Sequence, residues 1–365
     1  MNIVFILPSL EKIAPVTVIV NIISFLLKVE NIKVNVMTLQ DTPLNNYKEE
    51  LESRGVIIYE YSGIKKAFED KGEYFWNGID IIHINSLKPN ILAYFLQKKY
   101  KHLKSLVTIH SVEKIDYVQS RGFIKGNLFY RINAFLCKKR DKVVAVSLDV
   151  LSYLKAMHIH NSICITNGID ISKFQSYDIK KDTNSVHLVQ VGVINVNKNQ
   201  IYSLNLLKYL LDAGLSVTLH LVGGVKDKAY KASLERYIEV HHLDKQVVFY
   251  GNLPFPKLTE VLSRKDILLM PSYSEGLPLS PLEGYFYNLP AITSDKGGLK
   301  EVNLEDETGI FVNIQDDSSF EKVKTFIDSG RYKEMATNLN SYVVQNFNTE
   351  IMSQKYYELY LSLLD

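Results

Sequence analysis

Short runs rich in Val and Ile alternate with helix-length segments along the chain, and this alternation limits the possible folds most. Near-continuous apolar runs of this length are typical of parallel strands that are buried on both faces. Their regular alternation with helical segments predicts right-handed βαβ units and a doubly wound sheet. The first runs are NIVFIL (2–7), KVNVMTL (33–39), VIIYEY (56–61), DIIHIN (80–85), SLVTIH (105–110), KVVAVS (142–147) and SICITN (162–167).

A polar, turn-rich segment at 167–185 interrupts the alternation, which divides the chain into two Rossmann-like halves. We predict a first domain at 1–168, a linker at 169–185 and a second domain at 186–345. The residues 346–365 have apolar side chains at helical spacing and predict a helix that returns to the first domain. The runs of the second half are VHLVQVG (186–192), SVTLHLVGG (216–224), QVVFYG (246–251), DILLMPS (266–272), PAITSD (290–295) and GIFVN (309–313).

Composition and charge exclude several classes of protein. Hydrophobic residues make up 46% of the 365-residue chain and charged residues 22%, as in globular proteins. Cys137 and Cys164 belong to no Cys/His cluster, which argues against a zinc site and a disulfide framework. The apolar start resembles a strand more than a signal peptide, and no apolar run is long enough to span a bilayer. We therefore expect a cytoplasmic protein.

Charge is distributed unevenly although the net charge is only +2. Residues 1–168 hold 22 Lys and Arg against 15 Asp and Glu, and the remainder holds 20 against 25. This asymmetry indicates that the first half meets an anionic partner, or it is ordinary surface scatter.

The segment SEGLPLSPLE (274–283) contains two glutamates around a strand-to-helix turn. SPLE fits a capping box, with Ser280 as the N-cap, Pro281 at the first helical position and Glu283 folded back on the backbone. A functional interpretation uses the same geometry. The helix N-terminus would take a phosphate, and Glu275 and Glu283 would accept hydrogen bonds from hydroxyls on either side of it.

The segment 270–302 resembles the donor-binding signature of retaining glycosyltransferases of family four, whose pattern has two glutamates eight positions apart. Supporting similarities extend over most of the chain: DIIHIN and VTIHS, VVAVS and ICITNGID, QVGVINVNKNQ, LVGG, VVFYG and TGIFV. The resemblance implies the GT-B fold. In this fold two Rossmann-like doubly wound domains face each other across an interdomain cleft, and a C-terminal helix returns to the first domain.

The resemblance also implies roles for individual residues. Lys198 would bind the donor diphosphate, Glu275 the hydroxyls of the transferred sugar and Glu283 the ribose. His110 would lie beside the reacting sugar carbon, so His110, Glu275 and Lys198 are the predicted catalytic residues. The remaining donor-binding residues would be Gly192, Gly276, Leu277, Leu279 and Ser280, and Asn167 and Gly168 would form the hinge. Taken alone, each of these residues also has an ordinary structural explanation, such as a solvated lysine, a strand-end histidine or a turn.

This chain departs from the family pattern at three places. The usual Gly-Gly after the first strand is replaced near Ala14 and Pro15, and the usual basic residue at the diphosphate is Val193. Lys296 is a candidate substitute for that missing charge. Asn288 replaces a common Gly, which is acceptable because Asn adopts turn conformations.

Absent motifs narrow the chemistry. No Asp-x-Asp occurs, which argues against a metal-clamped diphosphate, so we expect neither a metal nor a cofactor. A P-loop signature and a G-x-G-x-x-G fingerprint are missing as well, which argues against a P-loop nucleotidase and a dinucleotide cofactor.

The predicted activity is metal-independent, retaining transfer of a sugar from a UDP- or GDP-sugar to a hydroxyl of a growing glycan or lipid-linked acceptor. Capsule, O-antigen or lipopolysaccharide synthesis is the expected setting. The alternatives are a non-catalytic nucleotide-sugar-binding homologue and a nucleotide-sugar epimerase of the same fold. Basic and apolar residues interleave at 97–142 and indicate contact with the inner membrane surface, or a helix packed on its own domain. No nucleic-acid-binding module is recognisable.

Overall fold

The computed structural model describes residues 1–112, 114, 117–118, 121–177 and 185–365. The chain forms two compact units, one comprising Met1–Gly168 with Thr349–Asp365 and the other Ile169–Asn348. Residues 178–184 of the predicted linker lie outside the described part, and its residues 169–177 belong to the second unit.

The first unit contains a parallel sheet with the strand order β3-β2-β1-β4-β5-β6-β7. The order reverses between β1 and β4, so the predicted doubly wound sheet is confirmed. Its strands are β1 (Asn2–Leu7), β2 (Lys33–Thr38), β3 (Ile57–Glu60), β4 (Ile81–Asn85), β5 (Lys104–Ile109), β6 (Lys142–Ala145) and β7 (Ser162–Cys164).

Helices connect these strands because amphipathic segments must cover both apolar faces of a parallel sheet. Their bounds are α1 (Ala14–Leu26), α2 (Lys48–Glu52), α3 (Ile64–Asp70), α4 (Glu73–Asn77), α5 (Leu87–Lys99), α6 (Phe123–Cys137) and α7 (Leu148–Ala156).

The second unit repeats the architecture with the strand order β10-β9-β8-β11-β12-β13, again all parallel. The order reverses between β8 and β11. Its strands are β8 (Val186–Val191), β9 (Val217–Val222), β10 (Val247–Gly251), β11 (Ile267–Met270), β12 (Ala291–Ser294) and β13 (Gly309–Val312). Its helices are α8 (Gln200–Asp212), α9 (Lys228–Val240), α10 (Phe255–Ser263), α11 (Leu279–Phe286), α12 (Leu299–Val302), α13 (Ser319–Asp328), α14 (Arg331–Met335) and α15 (Leu339–Asn346).

The last helix, α16 (Thr349–Leu364), belongs to the first unit and packs against α1. Its Tyr360 hydroxyl lies 2.6 Å from Nδ1 of His83, and Nε2 of His83 lies 2.8 Å from the Thr108 hydroxyl. The Thr108 hydroxyl in turn lies 3.1 Å from that of Tyr356. Burial lowers the pKa of His83 to about 3, so the ring is neutral and can donate from one nitrogen while accepting at the other. Polar bonds in the core therefore join α16 to β4 and β5.

Within the described part of the chain, no helix has both the length and the hydropathy that crossing a bilayer requires.

Candidate functional site

The candidate site of the second unit lies where its strand order reverses, at the carboxyl ends of β8 and β11. Open parallel sheets bind ligands at such points. Gly192 follows β8, and a Cβ atom there would lie 3.1 Å from Cε of Lys198. The Lys198 side chain therefore lies directly across Gly192, which brings two of the predicted residues together.

Local hydrogen bonds fix the backbone of Lys198. The Asn195 side chain accepts from the Lys198 N–H at 3.0 Å, and Asn199 takes a left-handed conformation with φ 55°. Buried Gln190 donates to the Lys198 carbonyl at 2.6 Å and accepts from the Ser203 hydroxyl at 2.7 Å. Side-chain hydrogen bonds therefore hold both the backbone N–H and the backbone carbonyl of Lys198.

Lys198 and Glu275 form an ion pair, with 2.6 Å between Nζ and Oε1. Their side chains are only 17% and 12% exposed. The residue predicted to bind the diphosphate and the residue predicted to bind the sugar thus neutralise each other in this structure, although they lie 77 positions apart in the sequence.

Asn197 joins the two loops that carry this ion pair. Its side-chain amide donates to the Ser274 carbonyl at 2.9 Å, and its own carbonyl accepts from the Tyr273 N–H at 2.9 Å. Asn197 was not predicted from the sequence. The Asn-rich run NVNKN was the available signal, because Asn side chains commonly bond to nearby or adjoining backbone in turns.

The loop after β12 supports the other side of the Glu275 segment. The Gly298 N–H donates to the Glu275 carbonyl at 3.0 Å. A Cβ atom on Gly298 would lie 1.9 Å from the carbonyl oxygen of Gly276, which is closer than any side chain allows. The two loops therefore touch backbone to backbone, and the second glycine of the DKGG run permits this contact.

Helix α11 begins two residues earlier than predicted, so the expected capping box is wrong. Leu279 is its first residue, Pro278 occupies the N-cap position, and no side chain caps the helix. The Ser280 hydroxyl instead donates to the Val191 carbonyl at 3.4 Å, at the end of β8. Pro281 falls at the third helical position, which is tolerated because the N–H groups of the first turn have no intrahelical acceptor.

Glu283 lies on the first turns of α11 with a partly buried carboxylate. It forms no hydrogen bond or ion pair with any residue that the structure describes. Burial raises its pKa to about 7. A desolvated carboxylate without a partner is costly and retains its full capacity to accept hydrogen bonds from a ligand.

The departures from the family pattern also have defined positions. Val193 is 41% exposed, and Lys296 pairs with Asp295 at 2.8 Å. Lys296 is therefore already engaged with a carboxylate. Asn288 has φ 58°, which confirms the expected turn conformation.

The other predicted residues lie in the first unit. His110 directly follows β5, and its buried Nε2 has no hydrogen-bond partner among the described residues. Burial lowers its pKa to about 4, so its ring is neutral at pH 7. Asn167 is buried, and Gly168 is the last residue before the second unit begins. The roles of these residues stay predictions.

Comparison with known proteins gives one consistent family. A family described as "Glycosyl transferases group 1" matches residues 172–343, and "Glycosyltransferase Family 4" matches residues 17–173. The O-antigen biosynthesis glycosyltransferase WclY of Escherichia coli is 24% identical over 370 residues, which cover 100% of this chain and 99% of WclY. The UDP-Gal:alpha-D-GlcNAc-diphosphoundecaprenol alpha-1,3-galactosyltransferase of E. coli is 25% identical over 307 residues, 78% of this chain and 76% of that protein.

Among solved structures, Anabaena Alr3699/HepE in complex with UDP and glucose has a TM-score of 0.83 at 15% identity. The match covers 99% of this chain and 100% of HepE and shows a common fold. Both units of the present structure and both family matches agree with this architecture. The chain therefore belongs to the family-four type of GT-B glycosyltransferases.

Proposed function

We propose that this protein transfers a sugar, with retention of its anomeric configuration, from a UDP- or GDP-sugar to a hydroxyl of a growing glycan or lipid-linked acceptor. The single observation that carries the proposal is the Lys198–Glu275 ion pair, which joins the loops after the adjacent strands β8 and β11, and helix α11 with Glu283 follows the second of these loops. The similarity to the E. coli galactosyltransferase, whose name specifies a diphosphoundecaprenol-linked acceptor, supports a lipid-linked acceptor, and the similarity to WclY supports O-antigen synthesis. The UDP and glucose of the HepE structure support the donor class.

In the proposed complex, the donor diphosphate replaces Glu275 as the ion-pair partner of Lys198. Glu275 then accepts hydrogen bonds from the sugar hydroxyls, and Glu283 accepts them from the ribose. Lys198 and the N–H groups at the start of α11 stabilise the charge on the departing diphosphate, without a metal ion.

The transfer step balances without a protein nucleophile. The bond between the anomeric carbon and the phosphate oxygen breaks, and the acceptor oxygen forms its bond on the same face of the sugar. The acceptor hydroxyl gives its proton to the departing phosphate oxygen. His110 would contribute from the first unit as a neutral ring, consistent with its lowered pKa.

A binding screen against UDP-, GDP-, ADP- and dTDP-sugars tests the donor class. Calorimetry should detect one nucleotide series, and the purified protein should hydrolyse that donor slowly to free sugar and nucleoside diphosphate. Binding without hydrolysis or transfer would instead support the non-catalytic alternative. If none of the four series binds, the proposal is wrong.

Replacement of Glu275 by Ala tests the division of roles. We expect transfer to fall by about 100-fold or more, because sugar contacts strengthen in the transition state. UDP affinity should change by less than about tenfold, since the nucleotide contacts remain. The matched variant Glu283→Ala should show the opposite pattern, with a large loss of UDP affinity. Equal losses in both variants would contradict the assignment.

We further propose that α6 contacts an anionic membrane surface, within the predicted segment 97–142. Residues 113, 115–116 and 119–120 of that segment lie outside the described part. The beginning of α6 exposes Phe123 (77%) and Ile124 (83%) beside Lys125. Exposed apolar side chains next to basic ones are typical of helices that lie in the interfacial layer of anionic bilayers.

Liposome flotation tests this contact. The protein should float with vesicles of phosphatidylglycerol and phosphatidylethanolamine at low salt, and Phe123→Ser/Ile124→Ser should reduce the bound fraction. Val240→Ser is the control, because Val240 is 63% exposed on α9 of the second unit. Wild-type protein that stays at the bottom of the gradient contradicts the membrane contact.

A further inference from the structure

A polar cavity of about 470 Å³ opens in the first unit at the carboxyl ends of β2 and β3. None of the residues predicted from the sequence for donor or acceptor contributes to it. Its lining consists of Asp41, Thr42, Glu60, Tyr61, Ser62 and Lys66.

Side chains around the cavity are held in place by contacts behind it. Lys48 forms an ion pair with Glu60, and the hydrogen bond from Lys48 holds the pKa of Glu60 below its ordinary value. The Tyr61 hydroxyl donates to Asp70 at 2.7 Å. The carboxylate of Glu60 and the ring of Tyr61 are therefore positioned before any ligand arrives.

The charges around the cavity favour a neutral ligand. The carboxylate of Glu60 is balanced by Lys48, and that of Asp41 is matched by the ammonium group of Lys66. An anion such as phosphate would face two carboxylates, and a metal cation would face the ammonium group of Lys66, while Lys48 already neutralises Glu60. An apolar ligand would leave this polar lining without partners.

The same lining suits a sugar ring. Carboxylates accept hydrogen bonds from pairs of sugar hydroxyls, and the exposed hydroxyl of Ser62 can both donate and accept. Tyr61 adds an aromatic face for the C–H groups of a pyranose. The volume lies within the range of small-molecule sites.

The cavity also adjoins the part of the sheet where ligands are expected. The segment 41–47 bonds to the loop after β1, since the Tyr47 N–H donates to the Leu10 carbonyl at 2.9 Å and the Lys12 N–H to the Asn45 carbonyl at 3.1 Å. That loop leads into α1, at the reversal of strand order between β1 and β4. A chain of sugars that passes this edge of the sheet could therefore place one unit in the cavity.

We propose that the cavity is a glycan subsite that binds one neutral saccharide unit of the acceptor. The role of the cavity as an acceptor subsite rests on the proposed glycosyltransferase function, whereas saccharide binding itself can be measured without turnover.

Saturation-transfer NMR on the full chain tests the subsite. The probes are methyl α-D-galactopyranoside, methyl α-D-glucopyranoside and N-acetylglucosamine, each at about millimolar concentration. We expect at least one probe to receive saturation from the wild-type protein. Ser62→Trp should abolish the signal by filling the cavity, and Asp41→Asn should weaken binding about tenfold because a charge-assisted hydrogen bond is lost. Glu69→Gln is the matched control, an exposed carboxylate on α3 outside the cavity.

Donor hydrolysis separates this proposal from the proposed function. Ser62→Trp should hydrolyse the nucleotide sugar at the wild-type rate, which also shows that the variant is folded, while its acceptor KM rises. Absent hydrolysis in the wild type would overturn the proposed function but not saccharide binding. Absent saturation of every probe, or equal saturation in the wild type and Ser62→Trp, would overturn the subsite.

Discussion

Glu283 is a partly buried carboxylate without a partner among the described residues, and this arrangement makes stability depend on pH. Its pKa is about 7 in the folded protein against an ordinary value of 4.5. Between these values the unfolded chain releases the proton while the folded chain retains it, so stability falls as pH rises through this window. The full cost is reached above about pH 7.

Replacement of Glu283 by Gln should remove this cost. We expect the variant to exceed the wild type in free energy of unfolding by about 1–3 kcal/mol at pH 8, and to match it near pH 4.5. Urea denaturation at the two pH values measures the difference. The control Glu239→Gln, at an exposed position on α9, should show no such dependence. A difference of equal size at both pH values would contradict the assigned cause.

Lys198 and Glu275 form a partly desolvated ion pair that a donor must open. A double-mutant cycle with Lys198→Met and Glu275→Gln should give a coupling energy of about 1 kcal/mol or more without ligand. The exposed pair Lys208–Asp212 on α8 should give less than about 0.5 kcal/mol. Saturating UDP should lower the first value because the diphosphate competes for the lysine. A coupling near zero without ligand would show that the pair contributes nothing.

At the scale of elements, the site depends on loops that touch through their backbones. Gly298→Ala places a methyl group against the carbonyl of Gly276, and neither backbone can move away easily. We expect a loss of about 1–3 kcal/mol in the free energy of unfolding and weaker UDP binding. Gly72→Ala is the control, since its Cβ would meet open space, and should change stability by less than about 0.5 kcal/mol. Unchanged stability in Gly298→Ala would mean that the loops separate without cost.

The strands could be predicted from the sequence, and the contacts between loops could not. Each Val- and Ile-rich run became a strand because a fully buried parallel strand needs apolar residues on both faces. The start of α11 was misplaced by two residues, because Pro281 and Ser280 fit more than one position of a first turn. The Lys198–Glu275 pair and the clamp by Asn197 join strands that are distant in sequence, and only the strand order brings them together.

At the scale of the whole molecule, the two units differ in how the chain builds them. The second unit is one continuous segment, whereas the first needs α16 to complete its core.

Tyr360→Phe should lower the free energy of unfolding by about 1–3 kcal/mol, since it removes the hydroxyl partner of a buried His83 nitrogen. Hydrogen exchange should accelerate in β4 and β5 and stay unchanged in β8 and β11. Tyr357→Phe, which removes a hydroxyl without a described partner on the same helix, is the control. Wild-type exchange in Tyr360→Phe would contradict this role of α16.

The discontinuous first unit has a consequence for biosynthesis. A ribosome makes residues 1–168 early, yet the tyrosines that bond to His83 and Thr108 emerge only after the entire second unit. Domains usually fold in the order in which they are made. Here the half that is translated first is completed last, and until then α1 lacks the helix that packs against it. The first unit therefore leaves the apolar surface of α1 uncovered while the whole second unit is synthesised, and the emergence of α16 is the event that closes it.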